Sequence, residues 1–261
     1  MDQLKQTIQR IKNEGYNIQP FLVMREAAFY YKKTILLVVV SLLLSFFFVS
    51  FLGSIALTQL TDINESATPA EIQEQVIELT NQLSQPPLLY TYLISAVIFS
   101  ALSSILIAGF YKINAEAALG KTPRFISVFK YFFSIRGLYV FIAQGIITLF
   151  FTVFSVLLKE YQLEMVSIII NWLVNILTLF VTPLIIFGRM SPFAAIKTSI
   201  QVVNKQPIPI ILTVILNYFL VFSGLFFFLI GIVITLPYLF SIYFTLYKQI
   251  IGYNLEEAKV Q

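Results

Sequence analysis

PIPIILTVILNYFLVFSGLFFFLIGIVITLPYLFSIYFTL, residues 207–246, runs for forty positions without one charged side chain. A helix that crosses a bilayer needs about 20 mostly apolar residues at about 1.5 Å each. The stretch is therefore too long for one crossing and long enough for two. Gly224 and Gly231 lie near its middle. The reading is two spans, 207–229 and 231–250, with a tight turn near 229–231.

Working outward, four more uncharged runs occupy 34–60, 88–110, 137–158 and 165–188. The first is too long for the core of a signal peptide and starts too far from the first residue. The total is six spans, in a membrane domain of residues 34–250. Composition agrees. Hydrophobic residues make up 58% of the 261 positions and charged ones 11%, against roughly 45–50% and about 25% in soluble domains. So little charge leaves too little polarity to cover a water-facing surface. The expected fold class is all-α, a polytopic membrane helix bundle.

Orientation follows from Lys and Arg, which are enriched on the cytoplasmic side of membrane proteins. Six precede residue 34, five lie between the second and third spans, three between the fourth and fifth, and two stand at or beyond the end of the sixth, Lys248 and Lys259. Only Lys159 falls on the other side. Segment 1–33, the tail 251–261 and both chain ends are thus expected in the cytoplasm, and the membrane is read as a bacterial inner membrane. The loop 61–87 is expected outside. It has no Lys or Arg but carries Asp62, Glu65, Glu71, Glu74 and Glu78. Within it, Thr68-Pro69-Ala70-Glu71 reads as a helix start: Thr68 caps, Pro69 takes the first helical position, and Glu71 reaches back. Ile72, Val76, Leu79 and Leu83 then share a face. This acidic helix is expected to lie on the outer membrane surface or on the bundle, or else to dock a partner outside the membrane.

Three segments ahead of the first, third and fifth spans look alike. Each has a Pro one or two residues ahead of a Phe, then an apolar stripe at i, i+3, i+7, i+10. The stripes are Phe21, Met24, Ala28, Tyr31; Phe125, Val128, Phe132, Ile135; and Phe193, Ile196, Ile200, Val203. Such spacing is one helix face. With basic residues nearby, it describes amphipathic helices lying in the headgroup layer, anchored by Phe21, Phe125 and Phe193 against anionic lipid. The chain then parses as three hairpins, each preceded by a cytoplasmic interfacial helix.

Ser191-Pro-Phe-Ala-Ala-Ile-Lys-Thr-Ser through Lys205, the hairpin with Gly231 and Pro237, Tyr247-Lys248, and Ala118-Leu-Gly-Lys-Thr-Pro-Arg-Phe carry a family likeness. The chain resembles the YciC-like and DUF975-like bacterial membrane proteins, related to the membrane domain attached to some glycerophosphodiester phosphodiesterases. The likeness covers about residues 21–252 and rests on short motifs. It implies a six-helix bacterial inner-membrane protein without established catalytic residues.

The chain has no Cys and no His. Disulfides, thiolate or imidazole metal sites and a His general base are therefore impossible. No phosphate-cradling Gly-rich loop or nucleophile elbow is present. No ionisable residue falls in the middle of a span, where one would mark a coupled transporter. No catalytic residue, cofactor or metal is expected, and the basic clusters are explained by topology without nucleic acid. The polar residues within spans are Gln144, Asn171, Asn175 and Asn217, which either bond between helices or line a pocket. Pro183 and Pro237 are expected to kink spans four and six. The reading is a non-enzymatic membrane protein, an accessory subunit or assembly factor of a larger inner-membrane complex. The alternative is a passive transporter or a binder of lipid or small solutes.

Overall fold

The computed structural model describes residues 2–60, 68–83 and 85–252. All regular structure among them is helical. Six helices are long and apolar enough to cross a membrane: Pro20–Ser54, Leu88–Ala118, Ile135–Glu160, Glu164–Ile186, Pro207–Phe226 and Gly231–Ile250. This is the architecture of a multi-pass membrane protein. Residues 61–67, residue 84 and the tail from 253 onward, on which some sequence expectations fall, lie outside the described residues.

The elements are α1 (Asp2–Glu14), α2 (Pro20–Leu60), α3 (Pro69–Leu83), α4 (Leu88–Ala118), α5 (Phe125–Val128), α6 (Ile135–Glu160), α7 (Glu164–Leu177), α8 (Val181–Ile186), α9 (Pro192–Lys205), α10 (Pro207–Ser223) and α11 (Phe228–Ile250). They form two compact units. Among the described residues, one takes those within 40–99 and the other those within 2–39 and 100–252.

In the unit of residues 40–99, α3 starts as a reciprocal cap. The Thr68 N–H donates to Glu71 Oε2 at 2.7 Å, and the Glu71 N–H donates to Thr68 Oγ1 at 3.4 Å. Two backbone donors that a helix start leaves orphaned are so satisfied. Ile72, Val76 and Ile77 are exposed; the side chains of Leu79 and Leu83 lie outside the described part. The 40–60 part of α2 is apolar all round, with Phe46, Phe47, Phe48 and Phe51 outward. That is the composition expected where the solvent is hydrocarbon.

In the larger unit, α11 is the most enclosed span. Ser241, Ile242, Phe244, Thr245, Leu246 and Tyr247 are buried along it. Phe244 meets Tyr30 of α2 edge to face at 5.7 Å, Phe240 meets Phe110 of α4 at 4.8 Å, and Tyr247 meets Phe180 at 6.4 Å. Lipid tails are as apolar as these rings, so packing and hydrogen bonds, rather than escape from water, hold the helices together. The Tyr238 hydroxyl donates to the Met24 carbonyl at 2.6 Å and that of Tyr31 to the Ile234 carbonyl at 2.9 Å. α2 is thereby tied to α11 at two heights.

The reversal between α10 and α11 comes earlier than the expected 229–231. It is bracketed by the Gly224–Gly231 contact and by Thr235 Oγ1 donating to the Val221 carbonyl at 3.0 Å. A 3₁₀ turn at Gly224–Phe227 carries it. The reason is close backbone approach: a Cβ on Gly231 would stand 2.0 Å from the Gly224 carbonyl oxygen.

The three stripe-bearing segments take three different forms. Phe21 to Tyr31 is the beginning of α2, which runs unbroken for 41 residues, so nothing separates it from the first span. Phe125 to Ile135 holds only the four-residue α5 and then turns. Pro192–Lys205 is a separate 14-residue helix, α9. α9 buries Ala195, Thr198, Ser199, Val202 and Val203 against its neighbours and leaves Phe193 outside. Phe21, Phe125 and Phe193 are all exposed.

Candidate functional site

Of the four in-span amides, Asn171 and Asn175 are joined by a hydrogen bond. Asn175 Nδ2 donates to Asn171 Oδ1 at 2.8 Å; one turn apart on α7, they satisfy each other on the same helix. Gln144 on α6 keeps a buried Oε1 without a partner. Asn217 on α10 is 0% exposed, and neither its Oδ1 nor its Nδ2 has a partner. No hydrogen bond joins Gln144, Asn217 and the Asn171–Asn175 pair.

The prolines sit in unlike settings. Upstream of Pro183, the fourth span breaks between α7 and α8. Proline has no N–H and crowds the carbonyl four residues back, which here is Leu179. Ser199 of α9 repairs the break from outside. Its hydroxyl donates to the Leu177 carbonyl at 2.7 Å and accepts from the Phe180 N–H at 3.1 Å. Pro237 lies inside α11, which continues through it.

Two polar joints were not legible as pairs in the sequence. The first couples α4 to α11: Ser241 Oγ donates to Asn114 Oδ1 at 2.8 Å, while Asn114 Nδ2 donates to the Phe110 carbonyl at 2.8 Å. The second closes the basic end. Lys248 Nζ lies 2.6 Å from Glu26 Oε1 and also donates to the Tyr30 hydroxyl at 2.6 Å. Tyr30 donates to the same Glu26 oxygen at 2.6 Å, and Gln249 Nε2 donates to Glu26 Oε2 at 2.6 Å. The pair is about 30% exposed, so solvent screens it and its worth is modest. The sequence signal that could have singled out Glu26 is its sign, an acid within a basic flank. Its partner more than 200 residues away left no trace.

The basic ends of the helices converge here. The Tyr16 hydroxyl donates to the Val202 and Gln206 carbonyls at 2.9 and 3.2 Å, and burial pushes its pKa up, so it remains a donor. Ile8 and Ile11 bury the inner face of α1, which packs on α9. Arg136 Nη1 donates to the Ile186 carbonyl at 3.0 Å, a cation at a helix C-terminus. Among the described residues no three His, Cys, Asp or Glu side chains come together as a metal site would require. The polar groups named are engaged mostly in holding helices to one another, and Asn217 and Gln144 are the exceptions.

Compared with known proteins, the chain matches no family model, no curated protein and no solved structure.

Proposed function

We propose that this chain is a non-enzymatic protein of a bacterial inner membrane, with both ends in the cytoplasm, acting as an accessory subunit or assembly factor of a larger complex. The family likeness of residues 21–252 and the six helices long and apolar enough to cross a membrane stand with that reading, which takes the spans as three hairpins with interfacial segments between them. The basic end then faces the anionic lipid headgroups of the cytoplasmic leaflet, and other inner-membrane proteins are its partners.

The observation that carries the subunit reading is α3. It is an acidic helix capped at its own start, with Ile72, Val76 and Ile77 uncovered. An exposed apolar row framed by polar residues suits a partner surface. The test places a photo-crosslinking residue at Val76 of the full chain in its native membrane. A discrete adduct with one polypeptide is expected. Adducts with lipid alone, or none, overturn the reading.

A second reading has its own support. Asn217 is a fully buried amide with four unmet hydrogen-bonding positions, which suits a passive transporter or a binder of a lipid or small solute. Loss of a copurified small molecule on Asn217→Leu substitution favours it.

A further inference from the structure

α1 and Tyr16 meet α9 at both of its ends and between them. Leu4 stands against the turn that leads into α9: a Cβ on Gly188 would lie 2.9 Å from Leu4 Cδ2. Ile8 and Ile11 are buried where α1 packs on α9. At the far end Lys205 Nζ donates to the Asn13 carbonyl at 3.3 Å, and the Tyr16 N–H donates to Gln206 Oε1 at 3.0 Å. The Tyr16 hydroxyl reaches the Val202 and Gln206 carbonyls. These lie in and just after the last turn of α9, where a helix leaves carbonyls without partners of its own.

Ser199 stands three residues before Val202, one turn away on the same helix. It is the donor to Leu177 and the acceptor from Phe180 across the break between α7 and α8. Pro183 brings no N–H that could close this break. Where a helix is interrupted inside a membrane, the freed backbone groups must find partners within the protein. α9 supplies them here, and α1 with Tyr16 grips the turn of α9 that does so. We propose that α1 is a latch: seated on α9 it keeps the break in span four pinned, and lifted it frees α7 to move against α9.

The build of α1 suits it to lifting. Away from its apolar face it is polar and exposed, with Lys5, Gln9, Arg10 and Lys12 outward. It stops at Gly15, whose φ of +81° turns the chain out of the helix and supplies a joint. A helix of 13 residues is marginal by itself, so α1 depends on its seat. An element held by few buried side chains opens at lower cost than the spans do.

The test uses the full chain in nanodiscs. Because the chain has no cysteine, spin labels can be placed at Met165 on α7 and Phe193 on α9, both exposed, to read the α7–α9 distance. A label at Gln9, in a separate sample, reads whether α1 is seated. Wild type is expected to give one narrow distance and an immobile α1. Ser199→Ala, which cuts the pin itself, should add a second distance while α1 stays seated. Ile11→Glu, which puts a charge into the seat, should free α1 and add the same second distance. Tyr16→Phe keeps the ring and should raise the share of that distance about fivefold, the size of one hydrogen bond. Arg10→Gln, on the exposed side of α1, should change neither reading. A mobile α1 with the wild-type distance in Ile11→Glu overturns the proposal. So does a Tyr16→Phe distribution equal to wild type, which decides the matter if Ile11→Glu fails to fold or leaves α1 seated. The wild-type distance in Ser199→Ala overturns it too, since the break would then be held by other groups.

Discussion

Asn217 shows how little a residue's name says about its task inside a membrane protein. As an amide in an apolar run it reads as a joint between helices, and the Asn114–Ser241 contact is such a joint. Yet Asn217 meets no partner, while Ser199, one of several serines near a span, supplies two bonds to a broken helix. The difference depends on which neighbour the tertiary fold brings near, and that is not written locally. An unmet buried amide costs about 1–3 kcal/mol. Asn217→Leu, close in volume and free of that penalty, is therefore expected to raise the melting temperature of the detergent-solubilised chain. A lowered value would mean that the amide holds something that the leucine cannot.

At the scale of elements, local rules were legible where they act through neighbours in sequence. The start of α3 is one: Thr68, Pro69 and Glu71 announce the cap, and the bonds are there. The stop of α1 is another, at Gly15, where φ is +81°, a conformation glycine adopts freely. The stripes before three spans were legible as periodicity but not as elements. The same i, i+3, i+7 pattern yields the start of a long helix, a four-residue helix with turns, and a full helix. The cap carries a pH dependence. Hydrogen bonds from the Thr68 backbone and hydroxyl hold the Glu71 carboxyl below its usual 4.5. A folded-state value below the unfolded one means that the stabilisation is complete above about pH 4.5 and is lost as pH falls through the lower folded value. Amide protection at residues 70–72, corrected for intrinsic exchange, should fall across that acid window. Glu71→Gln should flatten the dependence, and an unchanged slope in that variant would assign the effect elsewhere.

For the whole molecule, six spans could be read directly, because hydrocarbon selects composition and length over any specific contact. Which face of each span turns inward could not. Phe244 is 0% exposed and Phe219 is 72% exposed, yet both sit in uncharged runs of the same character. Lipid tails and protein interior are alike in polarity, so the inside–outside contrast that marks a soluble helix is absent. Threading is open to direct measurement because the chain has no cysteine. Single cysteines at Asn13 and Asn204 should react with an impermeant maleimide only after the inner face of the membrane is opened. One at Lys159 should react in intact cells. The exchanged pattern, with 13 and 204 labelled in intact cells and 159 protected, would reverse the charge-based orientation, and labelling of all three from one side would change the number of crossings between them.

The enclosure of α11 also bears on how the molecule is put together. The helices that surround it come earlier in the chain, so they leave the ribosome first and wait beside one another with a vacant slot. The rings of Tyr30 and Phe180 and the amide of Asn114 gain Phe244, Tyr247 and Ser241 as partners only when residues 241–248 arrive. Completion is thus a late event in biosynthesis, and a nascent chain halted near residue 227 would present lipid with a row of polar and aromatic groups meant for a helix not yet made.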